Sequence, residues 1–173
     1  MPKLDFFAAS ISGFLPPELD EAMRGAIIPP LDGGVASTEL KRQLLTLANT
    51  TWSHATLPGR RLAESGLWLL AGELDLSHEI SQSIDNDTGS FWHGIMHRRE
   101  GDFGNAKYWF RRAGDHPVLQ VIAENSGGKY ADPCDFVDSC QSAQRSSEEE
   151  VELCKSAQWV EWQALMLHSL TAH

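Results

Sequence analysis

Between His93 and Pro117 the chain carries three of its seven histidines, His93, His97 and His116, and five of its fourteen Lys and Arg residues. Trp109 stands among them and Trp92 directly precedes them. Imidazole coordinates metal ions and titrates nearest neutral pH. Guanidinium grips carboxylate or phosphate through two parallel hydrogen bonds. Groups able to coordinate, move a proton or hold an anion are seldom this dense for folding alone, so the block is the expected seat of function.

Helical spacing sorts these residues into stripes. Asp75, His78 and Gln82 fall at i, i+3 and i+7, opposite Leu76, Ile80 and Ile84. His93, His97 and Glu100 follow at i, i+4 and i+7. Asn105, Tyr108 and Arg112 repeat i, i+3 and i+7, away from a seam of Phe103, Ala106 and Phe110. If the three stripes converge they line a polar cavity. If they do not, each is the solvated face of an amphipathic helix, although such faces usually carry Lys and Glu rather than His, Gln, Asn and Tyr.

Two chemistries suit this set. His93 and His97 can share one divalent metal, zinc or another first-row ion, with Glu100 as a third ligand and His78 or Asp75 arriving from the neighbouring helix. The spacing is less specific than His-Glu-x-x-His, because Gly94, Ile95 and Met96 supply no base between the histidines. Without metal, His78, His93 and His97 are candidate acid–base catalysts held by Asp75 or Glu100. The plainest alternative is a buried network that only ties helices together.

Arg98–Arg99 and Arg111–Arg112 point their members to diverging helix faces, so at most one of each pair should enter a pocket. The spacing favours Arg99, on the side of Trp92 and Met96, and Arg112. With His116 these make a small anionic molecule the expected partner. The segment around them has more basic than acidic residues, although the whole chain has a formal net charge of -10. That overall charge argues against nucleic acid and against anionic membrane surfaces. No Gly-rich phosphate loop, Cys-His nucleophile pattern or Gly-x-Ser-x-Gly elbow is present, and whether the protein is an enzyme is left open. His54, His168 and His173 lack comparable neighbours and read as incidental.

The elements that must position these residues read as helices throughout, and no alternating strand pattern occurs. Pro16-Pro17 opens the first helix, and Pro29-Pro30 with Asp32-Gly33-Gly34 closes it. Ser37 caps a second, expected to stop before Pro58-Gly59. A buried helix follows from Arg60 to Ala71, then one carrying Leu76, Ile80 and Ile84. Asp85 to Gly89 reads as a turn before a helix from Ser90 to Glu100. Gly101 breaks that helix and Asp102 caps the next, to about Ala113. Short helices follow Pro117 and Pro133, and the capping box Ser147-x-x-Glu150 starts the last. The expectation is a single all-α domain over 1–173, a bundle of about seven or eight helices.

Cys134, Cys140 and Cys154 are odd in number and match no common zinc spacing, so they read as thiols in a reducing compartment. No apolar run approaches the ~18 residues of a membrane span. Asp5 interrupts the short N-terminal apolar run, so no secretory leader is evident and a cytoplasmic location is expected.

The helix pair Ser90 to Ala113 resembles one tetratricopeptide-type repeat: Gly94, Gly101-Asp102-Phe103, Ala106, Phe110, Ala113 and Pro117 fall near that repeat's small, aromatic and proline positions. No second copy follows at the ~34-residue period, so the likeness implies a hairpin and not a solenoid. The segment His78-Glu79-Ile80-x-Gln82, followed by Trp92-His93-Gly94-Ile95-x-His97-Arg98-Arg99-Glu100-Gly101-Asp102 and Asn105 to Arg112, also resembles a family of small all-helical microbial proteins that has no assigned activity. That resemblance covers about a quarter of the chain and transfers no catalytic role. The residues thus point to a His/Arg-rich pocket for a small anion, with or without a divalent metal. The alternative is a non-catalytic helical interaction module.

Overall fold

The computed structural model describes residues 6–33, 37–50, 52 and 54–171, with side chains from residue 9 onward. His173 and Gly34 lie outside the described residues. Ten helices and no strand occur among them: α1 (Phe6–Ser12), α2 (Pro17–Arg24), α3 (Thr38–Thr46), α4 (Leu57–Leu70), α5 (Leu74–Ser81), α6 (Asp87–Glu100), α7 (Phe103–Ala113), α8 (Val118–Asn125), α9 (Pro133–Ala143) and α10 (Glu148–Thr171). The fold is all-α, with more helices than the seven or eight expected. No helix among the described residues is long and apolar enough to cross a membrane.

Helix starts follow local capping chemistry. Ser37 Oγ accepts from Leu40 N at 3.4 Å, Asp102 Oδ1 from Asn105 N at 3.1 Å, and Ser147 Oγ from Glu150 N at 3.3 Å. Two expected boundaries move. Pro58-Gly59 lies inside the first turn of α4, where Thr56 Oγ1 accepts from Gly59 N at 3.1 Å and the proline needs no N–H partner. The expected turn Asp85 to Gly89 ends early, because Asn86 Oδ1 accepts from Gly89 N at 2.7 Å and starts α6 at Asp87.

One hydrophobic core runs through the molecule. α10 packs against α1, α4, α6, α8 and α9, and the series α4, α5, α6 and α7 packs in chain order. Trp162 donates its indole N–H to Gly66 O at 2.8 Å, and Trp92 donates to Ser169 Oγ at 3.0 Å. These bonds lock α4 and α6 onto α10 and satisfy two buried indoles.

α6 and α7 form the tightest helix pair. Gly101 holds φ +90° at the end of α6, a left-handed conformation suited to glycine, and reverses the chain within two residues. The contacts Phe91 to Phe110 and His97 to Asn105 run in opposite chain directions, which makes an antiparallel hairpin. A Cβ on Gly94 would lie 2.9 Å from the Phe110 ring, so the missing side chain sets the helix separation. Every residue of α6 from Thr88 to Arg99 is buried. A helix enclosed on all sides must place its polar side chains inside, and this is what builds the site.

Candidate functional site

α5 and α6 bring three histidines together. Ring centroids lie 4.7 Å apart for His78 and His93, 5.3 Å for His78 and His97, and 4.7 Å for His93 and His97. One ligand nitrogen from each of the three lies within 4.8 Å of the others. His78 is half-buried, while His93 and His97 are buried. The three therefore converge across a helix contact, as the stripe spacing anticipates.

Each ring is held differently. His93 lies parallel to His97, at 15°, and to Trp109, at 12° with centroids 4.0 Å apart. Neither of its ring nitrogens has a hydrogen-bond partner, although both are enclosed. Burial first, then charge on His97 and His78, push the His93 imidazole down to about 3. It is neutral at pH 7, with one lone pair free.

His97 lies 3.1 Å from Glu100 Oε1 through Nδ1. With the proton on Nδ1, donated to that carboxylate, Nε2 keeps its lone pair. Asn105 Nδ2 lies 3.1 Å from Nε2 and donates to it. A metal takes this lone pair only once the Asn105 amide turns away.

The remaining stripe residues divide. Glu100 is not grouped with His78 and His93; it forms a separate, more exposed set with His97 and Asp102, so the structure makes it the partner of His97 rather than a third ligand beside His93. Asp75 and Gln82 are solvent-exposed: α5 turns the correct face toward α6, but only His78, midway along it, is half-buried. On α7, Asn105 reaches His97, whereas Tyr108 is exposed. Arg112 pairs with Asp85 at the surface, and its guanidinium carbon lies 5.3 Å from the Trp109 ring centroid. Trp109 is the member that spacing arguments passed over: Asn105, Trp109 and Arg112 stand at i, i+4 and i+7, and it is the indole that meets His93.

Two expected pocket residues lie elsewhere. Arg99 follows Trp92 and Met96 at i+7 and i+3, and that face of α6 points into the core. Its Nη2 donates to Gly33 O at 2.7 Å and its Nη1 to Leu69 O, so it clamps backbone carbonyls away from the histidines. His116 is a strut at the start of α8. Val118 N donates to its Nδ1 at 3.3 Å, so Nε2 carries the proton given to Thr88 Oγ1 at 3.0 Å. His168, which reads as incidental in the sequence, stands 4.7 Å from His116 ring to ring. Burial first, then charge on His168, lower His116 to about 4.

Arg98 is wholly buried as well, but against α10, so it does not take the place expected of Arg99 beside the histidines. Its guanidinium donates through both terminal nitrogens to Glu161, with Nη1 at 2.9 Å from Oε1. Glu161 also accepts from Tyr130 Oη at 2.8 Å. Burial opposes the charge on Arg98, but Glu161 overrides it and holds the guanidinium above its ordinary value. Both partners are fully enclosed, which makes this pair a buried tie between α6 and α10.

No protein-family model matches the chain, and neither the curated proteins nor the solved structures yield a match. The site is therefore read from its own geometry.

Proposed function

We propose that the protein binds a divalent first-row metal ion, zinc being the best fit, through His78, His93 and His97, and that the open coordination position accepts a small anion. The observation that carries this reading is the pair of enclosed, unpartnered nitrogens on His93. A buried polar group left without a partner costs about 1–3 kcal/mol, and natural folds retain few of them. A metal on one nitrogen of His93 removes one such penalty. A purely structural network would have given this ring a hydrogen bond, as it gives His116 two.

The fit is close but not closed. Tetrahedral zinc with Zn–N bonds of about 2.0–2.1 Å needs nitrogens about 3.4 Å apart. The three donors lie within 4.8 Å of one another, so ring rotations of about 1.5 Å complete the site. Glu100 on the far side of the His97 ring supplies the carboxylate–histidine–metal arrangement that orients ligating imidazoles. Three protein ligands leave a fourth position for water or an anion, the pattern of zinc sites that do chemistry rather than hold folds together. Arg112 rests on Trp109, which stacks on His93, and would reach such an anion on leaving Asp85.

The test is thermal unfolding with zinc added and removed. Zinc at a hundredfold excess over its dissociation constant should stabilise the protein by about 2.7 kcal/mol, and a chelator should reverse the gain. His93→Ala and His97→Ala should each abolish it, and His54→Ala should leave it intact. Equal zinc uptake by the wild type and the His93→Ala/His97→Ala double variant would overturn the reading.

A further inference from the structure

A second site, independent of the metal reading, lies where α2, α3, α4 and α5 meet around Trp52. Leu19, Leu44, Trp52, Trp68 and Ile80 are buried, yet together they border a cavity of about 230 Å³. Its mouth carries Glu64 and the exposed Ala48 and Arg61. Protein interiors pack as densely as organic crystals and leave few voids larger than a water. An apolar cavity of about 150 Å³ already takes up benzene. On that scale this one holds an apolar body of about nine non-hydrogen atoms.

The wall after α3 is anchored by one side chain of α4. Arg60 donates to Ala48 O and Thr50 O, and through Nε to Glu64 Oε1 at 2.8 Å. Its guanidinium carbon lies 5.1 Å from the Trp52 ring centroid. Arg60 thus holds Trp52 against the cavity, and its donors are spent in doing so.

The charges at the mouth do not cancel. Two guanidiniums, those of Arg60 and Arg61, share the one carboxylate of Glu64. Arg60 takes the short bond. Arg61 Nη1 stands 3.7 Å from Glu64 Oε2, beyond hydrogen-bond distance, and its side chain is 53% exposed. Among the described residues no other ion pair or hydrogen bond engages it. Arg61 therefore keeps its fork of donors, which matches a carboxylate through two parallel bonds. An amine would meet only a carboxylate already spent on Arg60.

We propose that this cavity binds a small amphiphilic monocarboxylate, with its alkyl or aryl body between Trp52, Trp68 and the leucines and its carboxylate on Arg61.

The experiment is calorimetric titration of the whole chain with sodium octanoate, octanol and octylammonium. A chelator is present throughout, so that no metal on the histidines can take the carboxylate. Octanoate should bind saturably, one molecule per chain, and at least tenfold more tightly than octanol or octylammonium. Arg61→Gln removes the cation at an exposed position whose single surface contact adds little to the fold, and should weaken octanoate at least tenfold. Ala48→Trp plugs the mouth from another exposed position and should exclude octanoate. Octylammonium or octanol binding as tightly as octanoate overturns the proposal. So does an Arg61→Gln variant as tight as wild type, an Ala48→Trp variant that still takes up octanoate, or the absence of any saturable heat.

Discussion

Glu161→Gln tests the buried tie between α6 and α10. The substitution conserves shape but removes the charge opposite Arg98, whose side chain has 0% exposure, as has that of Glu161. Arg98 cannot shed its proton, since its guanidinium is always charged. It also has no water to turn to, and its other neighbours are the Phe136 and Phe110 rings at 4.8 and 5.8 Å and the weakly held Gln158. Breaking one side of a buried ion pair costs about 3–5 kcal/mol, most of it the uncompensated charge. For a protein of this length that corresponds to a fall of roughly 6–20 °C in melting temperature. Urea denaturation followed by circular dichroism reads it directly. Arg98→Met with Glu161→Leu removes both charges and should be far milder than Glu161→Gln alone, because the desolvation cost vanishes with the ions. A Glu161→Gln protein within about 1 kcal/mol of wild type would refute the reasoning, and so would a double variant worse than the single one.

Other outcomes follow from the same physics. Asp102→Ala removes the cap on α7 and should cost about 1 kcal/mol in urea melts. Gly94→Ala forces a Cβ to 2.9 Å from Phe110 and should cost about 1–3 kcal/mol, unless the hairpin opens freely. His116 is neutral when folded, near 4, and protonates near its ordinary value when unfolded, so the unfolded state binds more protons between those limits. Its contribution to stability is complete above about pH 6.5 and is lost as the pH falls toward 4, at up to about 1.4 kcal/mol per pH unit. His93, also neutral when folded, adds to the slope over the same range, so His116→Asn should reduce the slope in unfolding curves without abolishing it; an unchanged slope would mean that His116 contributes nothing to it.

Local chemistry was the legible part of this chain. Ser37, Asp102 and Ser147 cap helices because capping needs only a side-chain oxygen and the next turn's N–H, both visible in sequence. The approach of His78 to His93 was legible for a similar reason: equal spacing on consecutive helices puts both on facing stripes. Pro58-Gly59 misled because the same dipeptide suits a turn or a first helical turn, and Thr56 decides between them. Arg99, expected beside the histidines, misled more deeply. Two adjacent arginines normally leave at least one side chain in solvent, and only the enclosure of α6 on every side, with Glu161 arriving from α10, turns both inward. Trp109 was hidden because an indole on a polar face reads as hydrophobic, whereas here it is the surface on which His93 stacks.

On the proposed reading, His78, His93 and His97 close on one metal ion. X-ray absorption at the zinc edge of the zinc-loaded protein tests it most directly, because it counts ligands and measures their distances without reference to stability. Three imidazole nitrogens at about 2.0–2.1 Å with one further light atom are expected, and loss of imidazole scattering in His93→Ala. A zinc shell dominated by carboxylate oxygen or sulfur, or one identical in wild type and His93→Ala, would contradict it.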